Sequence, residues 1–330
     1  MDSFILRNNL MSRKQLFNIL KIVISVALIG GILYTIDIPT LVNVFRNANA
    51  GWLTAAAALM FLGIVVRAWR WQILLNSLQI FVSIRELTRI YLIGFLFNNL
   101  LPSGLGGDAI RMIELNRHSD HAGNAVTSVL VDRLIGLFGA LTLALIALAF
   151  RWNAVPTEIA YVSLIIFGGI IFGGAALMSE ALYQWVRKIA FIRKITDIKF
   201  VNSLFVSFQT YSLASLGKSY LVSLLFNAIL IAMNVAIGTG LGANIALAHY
   251  LVFVPLTSLV LVLPISFAGL GVREGAYVYL FSQVGVAEEV ALGMSLMIYF
   301  IGNVIPGLLG GVIYFWRSAR GVKTIADANK

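Results

Sequence analysis

Six long apolar runs follow one another along this chain, at residues 22–36, 52–69, 124–150, 159–178, 218–238 and 289–316. A helix needs about 20 apolar residues to cross a hydrocarbon core roughly 30 Å thick. The runs are continuous rather than alternating, so they favour helices over the strands of a membrane barrel. Inside a bilayer every backbone N–H and C=O must find its partner within the segment, and a helix does this unaided. Composition excludes the soluble alternatives: 60% of the 330 residues are hydrophobic and only 12% are charged. A soluble domain carries about 25% charged residues, enough to coat its surface. The chain has no cysteine, which removes thiol catalysis, disulfide staples and cysteine-based metal sites. The expected fold is an all-α polytopic membrane protein forming one integral membrane domain over residues 1–330.

Two further apolar stretches, 87–101 and 248–263, do not fit a simple span. The first runs into Pro102-Ser103-Gly104-Leu105-Gly106-Gly107-Asp108. The second runs into Pro264-Ile265-Ser266-Phe267-Ala268-Gly269-Leu270-Gly271-Val272-Arg273-Glu274. Proline removes a helix donor and glycine weakens a helix, so both should break there and restart. The reading is six transmembrane helices plus two re-entrant helical hairpins, at about 87–117 and 248–284.

The net charge of +10 invites a nucleic-acid reading, but in an apolar chain it reads first as topology. With the N-terminus inside, nineteen basic residues fall in inner segments, Arg67, Arg70 and Arg111 among them, against Arg46 and Arg151 outside. That bias puts both termini in the cytoplasm. Trp52 and Trp152 then fall at the outer boundary and Trp69, Trp71 and Trp316 at the inner one. Arg67 and Arg70 read as snorkelling anchors at the end of a span. Residues 179–217 hold six basic residues with 218 included, and read as a cytoplasmic amphipathic segment.

The same topology makes the two hairpins enter from opposite faces. Their tips share a string: Leu101-Pro102 matches Leu263-Pro264, and Gly104-Leu105-Gly106 matches Gly269-Leu270-Gly271, at offsets of 162 and 165. This suggests an inverted repeat with halves at about 51–150 and 218–316. Transporters built from such repeats hold their substrate near the midplane, beside broken helices. The alternative is two helix pairs whose glycines only permit close packing. At the offset of 165, Asp108 corresponds to Arg273, and the two are expected to meet where the tips converge.

Charges inside apolar runs are expensive and mark candidate sites. Asp108, Arg111 and Glu114 share one helix face. Arg111 offers a fork suited to phosphate, and the Gly104 and Gly106 amides open a helix that favours anions. Arg273 and Glu274 supply the matching pair, with Gly269 and Gly271 beside them. Asn98 and Asn99 either satisfy freed backbone groups or touch a head group. Ser103 and Ser266 suit helix caps. Asp132 and Arg133 lie early in the third span and, as sequence neighbours, face different ways. His118 and His121 lie three apart with no further metal ligands in reach of the reading. There is no Walker A string, nucleophile elbow or HExxH motif. No metal or cofactor is expected.

The strings Asn98-Asn99-Leu100-Leu101-Pro102-Ser103-Gly104-Leu105-Gly106-Gly107-Asp108, Asp132-Arg133 and Pro264 to Gly275 resemble the lysylphosphatidylglycerol synthase transmembrane-region family, also called flippase-like domain proteins. The resemblance covers about residues 12–320. It implies translocation of a lipid between leaflets. In fused members the membrane region moves an aminoacylated phospholipid, and a separate soluble domain makes it. That domain's synthase activity is not implied for a chain ending at Lys330. Stand-alone relatives are associated with other lipids, including polyprenyl-linked glycans.

The leading expectation is a lipid translocase of a bacterial or archaeal inner membrane, not an enzyme. Its partners would be anionic or zwitterionic phospholipid or polyprenyl-linked lipid, and no nucleic acid. Arg111 and Arg273 would hold the phosphate while Asp108 and Glu274 balance them. The alternatives are a membrane-embedded transferase using Asp108 and Glu274 as acid–base groups, or a scaffold for a separate lipid-modifying enzyme.

Overall fold

Local signals in the sequence set the helix boundaries. In the computed structural model, which describes residues 13–100, 106–116, 122–150, 152, 157–188, 205, 209–261, 266 and 269–319, helix α1 (Arg13–Thr35) stops before Asp37. Helix α2 (Ile38–Arg46) restarts on Pro39, whose missing N–H is harmless in a first turn. The two meet at a bend of 87°. Helix α3 (Ala50–Ser77) opens on Asn49, whose side chain accepts from Trp52 N at 3.2 Å. It ends at Gln79, which takes a positive φ of 60°.

After α3 come two short helices, α4 (Ile84–Leu100) and α5 (Gly106–Asn116), then a long one, α6 (Ala122–Phe150). Helix α7 (Thr157–Met178) and the short α8 (Glu180–Val186) lead to α9 (Leu213–Gly240), capped by Ser212. Two short helices follow again, α10 (Leu247–Val260) and α11 (Val272–Ser282), then the long α12 (Glu288–Ala319). All described regular structure is helical. Four helices, α3, α6 (from Ala125), α9 and α12, are long and apolar enough to cross a membrane, and the bent α1–α2 pair makes a fifth candidate. The expected helix at 159–178 is present as α7. Of the expected cytoplasmic segment, residues 189–204 and 206–208 lie outside the described residues.

The order long, short, short, long therefore occurs twice. Its lengths are 28, 17, 11 and 29 residues in α3–α6, and 28, 14, 11 and 32 in α9–α12. At 1.5 Å per residue the short helices reach only about 16–26 Å, less than the hydrocarbon core.

Apolar solvent offers helices no hydrophobic drive to associate, so close backbone approach must supply the contact. Glycine provides it here. A Cβ on Gly107 of α5 would sit 2.7 Å from the carbonyl oxygen of Gly94 of α4. Gly307 and Gly310 of α12 seat against Phe95, Asn99 and the Leu92 carbonyl of α4. Gly139 of α6 faces Ser223 and Asn227 of α9, and Gly63 of α3 faces Phe226 and Ile229. The main core runs between α3 and α9 through Ala56, Met60, Ile64, Met233 and Ile237.

Helix α12 is not regular throughout. Residues Phe300–Val304 form a π turn. Pro306 has no N–H to return to the carbonyl of Gly302, so the ladder is interrupted at this point.

Candidate functional site

Asp132 of α6 is the centre of a buried ionic cluster that draws on three other helices. Its Oδ1 accepts from Arg70 Nε of α3 at 2.7 Å, and its Oδ2 from Arg111 Nη2 of α5 at 2.8 Å. The Tyr91 hydroxyl of α4 donates to the same Oδ2 at 2.7 Å. Arg70, Arg111 and Asp132 are all buried. Arg70 also donates to Ser223 Oγ at 3.1 Å, which brings in α9. Asp108 holds a second, half-exposed pair: it accepts from Arg133 Nη1 at 2.7 Å and from Arg111 Nη1 at 3.2 Å.

Aromatic faces complete the wall. The Arg111 guanidinium lies 4.2 Å from the ring centre of Trp71 and 4.1 Å from that of Tyr91. Trp71 is fully buried and donates to Ser128 Oγ at 3.1 Å. Arg67 lies 4.7 Å from the ring centre of Tyr91 and 5.3 Å from that of Phe226. Among the described residues Arg67 has no carboxylate partner, and its buried Nε has no acceptor. The Arg111 Nε is likewise buried without an acceptor. A cation over aromatic rings gains some stabilisation, but a desolvated N–H without an acceptor still costs energy.

These groups line a cavity of about 410 Å³. Among the described residues its charged lining is Arg67, Arg70, Arg111 and Arg133 against Asp108 and Asp132, a formal charge of +2. The rest of the lining is mostly apolar: Leu59, Met60 and Ile64 of α3, Leu137 and Ala140 of α6, Phe226, Ile229, Leu230 and Met233 of α9, Leu261 after α10, and Ile298 of α12. When the equally long α3 and α9 are set in register, Arg67 and Arg70 correspond to Leu230 and Met233. The charged residues on the lining come from α3, α5 and α6, while both halves supply apolar ones. The π turn adds Gly302 and Asn303 to the lining.

The residues singled out in the sequence divide into two groups. Asn98, Asp108, Arg111, Asp132 and Arg133 line the cavity. Asn98 accepts from Gly107 N at 2.7 Å, serving one of the first amides of α5. Gly106 is buried as the first residue of that helix. Asn99 donates to the Asn303 carbonyl at 2.9 Å and ties α4 to the π turn. Ser103 and Gly104 lie outside the described residues, as do His118 and His121. Glu114 is buried away from the cavity lining, 3.9 Å from Arg317.

The second hairpin does not mirror the first. Ser266, Gly269, Gly271, Arg273 and Glu274 are absent from the cavity lining. Arg273 pairs with its neighbour Glu274, donates to Ser295 Oγ at 3.3 Å, and lies 4.3 Å from the ring centre of Tyr299. Glu274 also accepts from Gly271 N at 2.7 Å, capping α11. Gly269 and Gly271 take positive φ of 77° and 81°, which glycine adopts at little cost. Ser266 is buried and caps no described helix. The expected pairing of Asp108 with Arg273 is therefore corrected: Asp108 is held by Arg111 and Arg133, and Arg273 by Glu274. Tyr299 lies between the two regions, over Arg273, and donates to Asn99 Oδ1 at 3.3 Å.

Two expectations from the end of α3 are corrected as well. Arg70 is not a snorkelling anchor but a buried ion-pair partner, and Arg67 lines the cavity. Trp71 is not interfacial but lies behind Arg111, while Trp52, Trp69 and Trp316 remain exposed. The sequence carried a usable signal: positions 63, 67, 70 and 71 share one face of α3.

Comparison with known proteins agrees with this architecture. The family model described as lysylphosphatidylglycerol synthase TM region matches residues 18–310. A UPF0104 membrane protein of Pyrococcus horikoshii is 24% identical, over 89% of this chain and 95% of the relative. A UPF0104 membrane protein of Methanothermobacter thermautotrophicus is 25% identical, over 92% and 93% respectively. Another, of Methanocaldococcus jannaschii, is 22% identical over 88% and 91%.

Proposed function

The chain belongs to the lysylphosphatidylglycerol synthase TM region family, and from that premise we propose that it is a lipid translocase. A polar head group enters the cavity between the halves while its hydrocarbon stays against the apolar lining or in the bilayer. The α4–α5 and α10–α11 pairs act as re-entrant hairpins from opposite leaflets. Relative rocking of the two halves exposes the cavity to each leaflet in turn. In bacterial or archaeal cells the protein works in the inner membrane, with both termini in the cytoplasm.

The observation that carries this reading is Arg67, a cation in an aromatic-lined cavity without a carboxylate among the described residues. The buried Nε of the partly buried Arg67 has no acceptor, which is costly, and an anionic head group would supply what is missing. The cavity's size and its mixed charged and apolar lining suit an amphiphile. In this reading the chain is a carrier rather than a transferase. Asp108 is held by Arg111 and Arg133, and Glu274 by Arg273 and the Gly271 amide, so neither of the carboxylates considered for acid–base work is left free for it.

The test is leaflet sidedness in proteoliposomes. Fluorescent phospholipid in the inner leaflet should become accessible to an external quencher faster with the protein than in protein-free vesicles. The Arg67→Gln and Arg111→Gln variants should each slow this by about tenfold, the scale of one charge-assisted hydrogen bond. Unchanged accessibility with folded wild-type protein would overturn the proposal.

A further inference from the structure

Charge bookkeeping in the cavity narrows the class of head group, an inference that rests on the translocation reading above. Among the described residues, four arginines and two aspartates leave a formal charge of +2 on the lining. Both aspartates are already committed. Asp132 accepts from Arg70, Arg111 and Tyr91, and Asp108 from Arg111 and Arg133. A ligand ammonium entering here would meet guanidiniums first and would have to displace an arginine to reach a carboxylate.

We propose that the preferred cargo is a lipid with a terminal phosphomonoester, doubly anionic and without an ammonium group, rather than an aminoacylated or zwitterionic phospholipid. A phosphomonoester carries a charge of about −1.5 to −2 at neutral pH, its second proton leaving near pH 6. That matches the lining, whereas a phosphodiester supplies one charge and an aminoacyl ester adds positive ones. Three peripheral oxygens also give Arg67 and Arg111, each with an unpartnered buried Nε, acceptors that a diester offers less freely. The apolar residues of α9 then face the lipid's hydrocarbon.

The experiment is calorimetric titration of the full chain in detergent micelles with short-chain phosphatidic acid, phosphatidylglycerol, phosphatidylethanolamine and inorganic phosphate. Phosphatidic acid should bind at least about tenfold more tightly than either other lipid at pH 7.5. The margin should shrink at pH 5.5, where the ligand takes up its second proton. No histidine lines the cavity among the described residues to produce the same trend from the protein side. Arg67→Gln should remove the preference, and Arg67→Lys should restore part of it. Equal binding of phosphatidylglycerol or phosphatidylethanolamine, or a preference that does not vary with pH, would overturn the proposal. Inorganic phosphate binding as tightly as phosphatidic acid would overturn the lipid assignment. The wild-type ligand series decides the question even where a variant fails to fold. If phosphatidylglycerol crosses in the leaflet assay while phosphatidic acid is not preferred, only this inference fails. If no lipid crosses, the translocation reading fails.

Discussion

Asp132 joins α6 to α3, α4 and α5 through one carboxylate. Removing that carboxylate strands Arg70 and Arg111 in the interior, and breaking a buried pair from one side costs about 3–5 kcal/mol. Asp132→Asn should therefore lower the thermal unfolding midpoint in detergent far more than Asp108→Asn, because Asp108 is partly exposed. Equal effects would contradict the assignment of Asp132 as the structural hub. At this scale the sequence was partly legible. Asp108, Arg111, Asp132 and Arg133 stood out as charges within or beside apolar runs. Arg67, Arg70 and Trp71 did not, because basic and aromatic residues at the end of a span look like interfacial anchors. Only the packing of α4 and α5 across that end turns their shared face inward. The Asp108–Arg273 pairing failed for a related reason. Alignment by offset gives equivalent positions, but hydrogen bonding is local, and Glu274 lay one residue from Arg273.

At the element scale, the ends of α4 and α10 were legible from the Pro and Gly strings that follow them, although residues 101–105 and 262–265 lie outside the described residues. The six expected apolar runs all appear as helices, with boundaries extended by polar caps such as Asn49 and Ser212. The π turn in α12 was not visible, since it changes no hydrophobic period and Pro306 alone does not specify it. Glycine contacts give a clear prediction. Gly107→Leu must push apart α4 and α5, where even a Cβ meets Asn98 and the Gly94 carbonyl at under 3 Å. Gly168→Leu faces open space and should be tolerated. Limited proteolysis and thermal unfolding would separate the two. Gly271→Ala should destabilise by more than about 1 kcal/mol, through its positive φ and its contact with Leu28. Deleting one residue from 300–304 should remove the wide turn, keep the protein folded and abolish lipid movement, since Asn99 would lose its acceptor on Asn303. Full transport by such a deletion would show that the π turn is incidental.

For the whole molecule, the repeated order of long and short helices agrees with the inverted repeat that we propose, while the chemistry of the halves has diverged. The charges that line the cavity lie in α3, α5 and α6, while α9 supplies mostly apolar residues to it, an asymmetry that suits a ligand with two unlike ends. The native chain lacks cysteine, so topology can be read by single-cysteine labelling without background. A cysteine replacing Asn153 should react with an impermeant thiol reagent in intact cells, and one replacing Ser318 only after permeabilisation. The reverse pattern would invert the proposed orientation. The central claim, that the cavity holds an anionic lipid by its head group, is tested most directly by photo-crosslinking from inside it. A photoreactive residue replacing Leu230, which lines the cavity with Arg67, should yield after irradiation in native membranes an adduct whose added mass is that of a phosphate-bearing lipid, and Arg67→Gln should abolish it. A protein that crosslinks only to itself, or to uncharged lipid, would contradict the account.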